Sequence, residues 1–352
     1  MVRFAFLFSF LTIVSVGGGV AADDGATVRA GSASRFDGFG GFDGHPEAPS
    51  TVEVVDRALR AFRGFSDQDK RDAVRQLLET GASSTPLLVA ALDHLGDEPA
   101  TWVARTFRQS RDPRAAYPLM KRYTRGSDTL RSEVLVALGA IGSENTIPFL
   151  ATALADPQQA IRRAAATSLG RIPSRRSMRA LLGALADPDD WVRSEAVAGI
   201  RRMSEGSEAL DPVGALVALV PRLPRHGVAD ALALLAGTRD RKAYELLVEQ
   251  ARLGDDRARR VAVRGLGLQG RVSARSVLES SLDDSDVDVR VEAIRALRVL
   301  FGCASARVLV DRLGREDSPR VRRELRQTLR GCAGRDFGDS VEPWRAWLQS
   351  DS

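Results

Sequence analysis

Leu130-Arg131-Ser132-Glu133-Val134-Leu135-Val136-Ala137-Leu138-Gly139 returns 31 residues later as Ile161-Arg162-Arg163-Ala164-Ala165-Ala166-Thr167-Ser168-Leu169-Gly170. After a further 31 residues comes Val192-Arg193-Ser194-Glu195-Ala196-Val197-Ala198-Gly199-Ile200-Arg201. Asp156-Pro157 and Asp187-Pro188 punctuate these copies at the same interval. A fixed period of this size is the signature of a stacked repeat array. Each unit of such an array buries its apolar face only against its neighbours, so the period settles the fold before any single residue is interpreted.

The last large apolar residue of each copy marks the register: Phe107, Leu138, Leu169, Ile200, Leu235, Leu266, Leu297 and Leu329. The steps are 31, 31, 31, 35, 31, 31 and 32 residues, and a weaker copy ends near Leu77-Leu78. Within one copy, Ile161, Ala165, Ser168 and Leu169 fall on a single helical stripe. Asp156-Pro157 reads as a helix start, with Asp as cap and Pro in the first turn. Gly170 reads as its end. A second apolar helix, Met178 to Leu185, follows before Asp187-Pro188 opens the next unit. The expected fold is all-α: an α-solenoid, a superhelix of about nine antiparallel helix pairs over residues 50–352. Strand signals are absent.

The pattern resembles HEAT repeats, in particular the short bacterial type also found in phycobilisome-lyase-like proteins. The residues that carry the resemblance are Asp156-Pro157 with Ile161-Arg162, Asp187-Pro188 with Val192-Arg193, and Asp286 with Val289-Arg290. It covers roughly residues 66 to 335. The tail, Gly334 to Asp339 followed by Trp344 and Trp347, looks like the closing segment of many secreted HEAT proteins. Physically, residues 334–349 read as a cap, because a terminal repeat has an apolar face with no neighbour.

Residues 1–22 read as a secretory signal peptide: Arg3, an apolar run from Phe4 to Val16, a Gly17-Gly18-Gly19 break, and small residues Val20-Ala21-Ala22 before Asp23. That run is too short to span a bilayer comfortably, and no later stretch is long and apolar enough. The expectation is an exported protein, periplasmic or extracellular, with an uncleaved anchor as the alternative. Residues 23–49 are a Gly/Ser/Asp-rich linker, expected to be disordered because it cannot bury enough apolar surface. It is either a spacer or a short docking motif built on Phe36, Phe39 and Phe42.

Net charge is +5, from 51 basic and 46 acidic residues, and the two signs interleave. No basic stripe suited to tracking phosphates emerges, so no nucleic-acid partner is expected. Two cysteines, Cys303 and Cys332, occupy matching places in adjacent repeats. Export would permit a disulfide, but helix stacking at about 8–10 Å exceeds the roughly 7 Å limit between bridged Cα atoms. The pairing stays open at this stage.

The inventory for chemistry is thin. His45, His94 and His226 are the three histidines, and none sits in a His-Glu pair or a metal-binding helix motif. The expectation is therefore a protein without cofactor, metal or catalytic residues. The recurrent Arg131, Arg162, Arg193, Arg290 and Arg322 form either an anion ladder or internal staples. The staple reading pairs the last four with Asp156, Asp187, Asp284 and Asp317 of the preceding turn. Candidates for partner binding are basic residues assigned to second helices and to the concave face: Lys121, Arg122 and Arg125, then Arg175, Arg176 and Arg179, then Arg222, Arg225, Arg241 and Lys242. Trp191 either anchors a partner or packs against the loop above it. The step of 35 suggests a longer loop at Met203 to Glu208.

The functional expectation is a non-enzymatic, monomeric, protein-binding scaffold of the cell envelope or periplasm. The alternatives are a bilin-lyase-like enzyme or accessory module, and a structural component of an envelope assembly.

Overall fold

The computed structural model describes residues 49–206 and 210–350. The expected signal peptide and nearly all of the expected linker lie outside these residues, as do Ser207 and Glu208. Nineteen α-helices are found among the described residues. Nine hairpins follow one another. The first three are α1 (Thr51–Phe62) with α2 (Asp67–Glu79), α3 (Thr85–Leu92) with α4 (Asp97–Ser110), and α5 (Ala116–Tyr123) with α6 (Asp128–Ile141). Next come α7 (Ile147–Ala153) with α8 (Gln159–Leu169), α9 (Arg175–Ala184) with α10 (Asp190–Gly206), and α11 (Val213–Leu219) with α12 (Arg225–Leu235). The last are α13 (Arg241–Leu253) with α14 (Asp256–Gln269), α15 (Arg275–Ser280) with α16 (Val287–Phe301), and α17 (Ala306–Leu313) with α18 (Pro319–Ala333). A lone helix, α19 (Val341–Ser350), closes the array.

All eight marker residues are buried, one per even-numbered helix from α4 to α18. They join a single apolar seam that runs the length of the stack. The period thus reports a packing position, repeated wherever one hairpin meets the next.

The two layers are unequal. Successive even-numbered helices pack along their lengths, whereas successive odd-numbered helices touch only sparsely. Small residues permit the close spacing. A Cβ on Gly139 of α6 would lie 2.6 Å from Ser168 Cα of α8. One on Gly170 would lie 2.9 Å from Gly199 Cα of α10, and one on Gly267 of α14 2.8 Å from Ala296 Cβ of α16. In a curved two-layer stack the tightly spaced layer is the inner one. The even-numbered helices therefore line the concave side, and the odd-numbered helices, often only two turns long, splay on the outside.

Three details differ from the sequence reading. Asp156 and Asp187 do not cap helices. Their carboxylates accept the Gln158 and Asp189 N–H groups in tight turns, and α8 and α10 begin later, at Gln159 and Asp190. Asp286, by contrast, does cap α16 by accepting the Val289 N–H. The extra residues after Ile200 do not begin a loop at Met203: α10 continues for 17 residues to Gly206. Gly170 keeps ordinary helical backbone (φ −64°), so its small size serves the contact with Gly199 rather than a left-handed turn.

The C-terminal segment packs onto the last hairpin. Trp344 is fully buried, its indole N–H donates to the Gly338 carbonyl at 3.0 Å, and Phe337 meets it edge-on at 4.9 Å. Trp347 packs at 6.3 Å from Trp344 on the half-buried side. Cys303 and Cys332 are joined in a disulfide, with Cα atoms 5.4 Å apart. The bridge forms because Cys303 sits in a one-turn helix after α16, which brings the backbone closer than the helix axes allow.

Candidate partner-binding surface

The recurrent arginines are internal staples, and Arg162, Arg193 and Arg290 each make two kinds of contact. Arg162 donates to the carbonyls of Asp156 and Pro157 at 3.1 Å, Arg193 to those of Asp187 and Pro188 at 2.8 and 3.1 Å, and Arg290 to those of Asp284 and Ser285 at 2.8 and 3.0 Å. Each ties down the turn that precedes its own helix. The carboxylate partner lies one repeat ahead, not in the preceding turn as the sequence reading had it. Arg131 binds Asp156, Arg162 binds Asp187 at 2.7 and 3.1 Å, Arg193 binds Asp230 at 2.8 Å, and Arg290 binds Glu316.

Arg259 is a rung that the sequence reading missed; it grips Asp284 at 2.8 Å through two nitrogens. Subtracting the period of 31 from Arg290 would have found it. Arg322 has no further repeat ahead. It instead donates to the carbonyl of Asp339, in the cap, at 2.6 Å, and not to the Asp317 carboxylate.

These contacts lower the pKa values of Asp284 and Glu316. Asp284 is pushed up by burial but pulled further down by Arg259 and the Asp286 N–H, ending below its ordinary 3.8. Glu316 follows the same balance: burial raises it, and Arg290, Arg312 and the Ser318 N–H hold it below 4.5. The charges are thereby committed to structure and are not offered to a ligand.

The expected partner-binding residues scatter. Arg122 is 6% exposed and donates to Asp97 at 2.6 Å and to the Leu95 carbonyl, so it too is a staple. Lys121 and Arg125 share Asp93 on the outer side. Arg175, Arg176 and Arg179 are exposed on α9, an outer-layer helix, so the expectation that they line the concave face is wrong. Amphipathic pattern reveals which stripe of a helix is buried, but not which of two layers is more tightly spaced. Arg222 lies in the turn before α12, and Arg225 is the first residue of α12; both are exposed. Arg241 pairs with Glu245 on α13. Trp191 does not pack under a loop. It is 60% exposed at the start of α10, with the Arg163 guanidinium 5.0 Å from its ring centre.

The inner layer carries its own ladder of ion pairs, again reaching one repeat ahead: Arg105 to Glu133, Arg163 to Glu195, Arg260 to Asp288, and Arg295 to Glu324. The side chains of successive inner helices thus meet and form one continuous face. Shallow cavities open along it between α2 and α6, and again between α6 and α10. Among the described residues, no group of three or more His, Cys, Asp or Glu side chains is placed to hold a metal ion.

A family model for HEAT repeats matches residues 84–166, 118–201, 147–233 and 244–330, most of the array. The chain belongs to the HEAT-repeat family. Its HEAT units count from the odd-numbered helix, since the matches open within α3, α5, α7 and α13 or at their edges.

No curated protein sequence matches the chain. Among solved structures it is similar to yeast importin-β (Kap95p), 12% identical over 85% of this chain and 47% of that one, with a TM-score of 0.55. Kap95p with RanGDP gives 14% identity over 80% and 45%, with a TM-score of 0.59. Importin-β crystallised with polyethylene glycol gives 16% over 81% and 47%, with a TM-score of 0.54. At such identities the likeness shows the HEAT solenoid fold alone. The chain spans about half the length of these importin-β structures.

Proposed function

We propose that this HEAT protein is a non-enzymatic scaffold that binds a partner polypeptide along its concave face and works outside the cytoplasm. The observation that carries the binding reading is the continuity of the inner layer. Arginine and acid side chains of successive repeats meet across four of the inner-layer junctions, so neighbouring repeats present one extended surface. Extended concave surfaces of this kind are what solenoids use for recognition. Trp191, exposed on that layer and held by Arg163, adds an aromatic anchor of the type that concentrates binding energy.

Two features support export: the apolar run Phe4 to Val16 followed by Val20-Ala21-Ala22, and the Cys303–Cys332 disulfide, which suits an oxidising compartment. The resemblance to the short bacterial HEAT type belongs with this reading.

Site-specific photo-crosslinking tests it. A crosslinker at Val136 on the inner face should trap a defined partner in cells, and one at Arg176 on the outer face should not. Trapping from Arg176 alone would overturn the concave-face reading. Mass spectrometry of the native protein should find an N-terminus at Asp23; one at Met1 would overturn cleavage and export by this route.

A further inference from the structure

The inner face is not electrically uniform. Its first cavity, about 480 Å³ between α2, α4 and α6, is lined by Arg71, Arg75, Arg105 and Arg108 over a floor of Val74, Leu78 and Trp102. The second, about 720 Å³, continues from it across Arg108 and adds Arg111, Arg171 and Arg202. Seven guanidinium groups therefore line one groove, and the single acid among the lining residues is Glu133.

That acid is already committed. Arg108 meets Glu133 Oε1 at 2.9 Å and Arg105 meets Oε2 at 3.4 Å, so one carboxylate serves two arginines. Arg105 is also fixed from below, its guanidinium 4.4 Å from the Trp102 ring centre, and Phe62 stacks on that ring at 6.2 Å. Arg75 pairs with Asp72 on its own helix, and Arg202 donates to the Gly170 carbonyl. Arg71, Arg111 and Arg171 are exposed and have no ion pair among the described residues. Along the same layer Arg163 pairs with Glu195, Arg260 with Asp288 and Arg295 with Glu324.

We propose that this groove, from α2 to α10, binds an acidic extended segment of a partner polypeptide. Carboxylates would lie against Arg71, Arg111 and Arg171, and apolar side chains would reach the floor at Val74, Leu78 and Trp102. The guanidinium fork matches a carboxylate in geometry and charge. The Glu133 carboxylate in mid-groove and the apolar floor fit a peptide of alternating character better than a phosphate backbone. Seven guanidinium groups against one carboxylate, gathered around two adjoining cavities of a chain whose net charge is only +5, concentrate positive potential in the groove. The inference rests on the concave-face reading and names its partner chemistry.

The test uses the purified full chain and a fluorescein-labelled peptide of alternating Asp and Leu, read by anisotropy. Binding should weaken steadily as salt rises from about 0.05 M to about 0.3 M. The double variant Arg71→Glu/Arg171→Glu should bind at least about tenfold more weakly. The outer-face variant Arg176→Glu/Arg179→Glu should bind as the unaltered chain does. Circular dichroism checks that each variant is folded; if the groove variant is not, Arg71→Gln/Arg171→Gln takes its place.

Absence of peptide binding, or equal loss in both variants, would overturn the proposal. So would tighter binding of an oligothymidylate single strand than of the peptide, which would make the groove a nucleic-acid site. The crosslink from Val136 separates the two levels: if it traps a partner whose capture survives Arg71→Glu/Arg171→Glu, the groove assignment fails while the scaffold reading stands.

Discussion

Arg290 holds Glu316 through two parallel hydrogen bonds, Nε to Oε2 and Nη2 to Oε1, each 3.0 Å, across 26 residues and one repeat junction. The Glu316 side chain is almost wholly buried, and Arg312 and the Ser318 N–H complete its shell. Removing one partner of a buried pair leaves the other charge stranded. Glu316→Ala should therefore cost about 3–5 kcal/mol, measured by urea unfolding. A change under about 1 kcal/mol would mean that the rung is not structural.

The same pair sets an acid limit. Glu316 and Asp284 both titrate below their ordinary values of 4.5 and 3.8 in the folded chain. A depressed acid stabilises the fold above its unfolded pKa, and that contribution is lost as pH falls through the folded one. The melting temperature should stay level from neutral pH down to about 5 and then fall. Glu316→Gln should start lower and fall less steeply below pH 4.5.

The cap should behave asymmetrically. Trp344 is fully buried and Trp347 only partly so. Trp344→Ala should cost about 3–5 kcal/mol. Trp347→Ala should cost less, and hydrogen exchange should localise the loss to α17–α19.

The disulfide closes a span of 29 residues around α17 and most of α18. On the chain-entropy model that constraint is worth about 3–4 kcal/mol. Reduction with dithiothreitol should lower the melting temperature and accelerate hydrogen exchange in α17–α19 before the N-terminal repeats respond. Uniform acceleration across all repeats would contradict a local staple.

The two layers can be told apart by glycine. Gly139→Ala places a methyl 2.6 Å from Ser168 Cα, so inner-layer backbones must separate, at about 1–3 kcal/mol. Gly183→Ala, on outer helix α9, meets open space and should stabilise by up to about 1 kcal/mol through reduced backbone freedom. Equal effects in thermal melts would remove the distinction between a tight inner and an open outer layer.

The 31-residue recurrence by itself determined the helical class, the count of hairpins and the eight buried markers from Phe107 to Leu329. Those follow from local periodicity, since each helix must bury the same stripe wherever it stands. The cap was legible for a related reason: a terminal repeat with two tryptophans has an apolar face to cover. Tertiary structure alone decided the rest. The staples join Arg162 to Asp187 and Arg290 to Glu316 across 25 and 26 residues, distances closed only when repeats stack. It also decided that α9 lies outside while Arg71, Arg108 and Arg171 share a groove. Concavity depends on the relative spacing of two layers, set by contacts such as Gly170 on Gly199. No single helix carries that spacing in its own pattern.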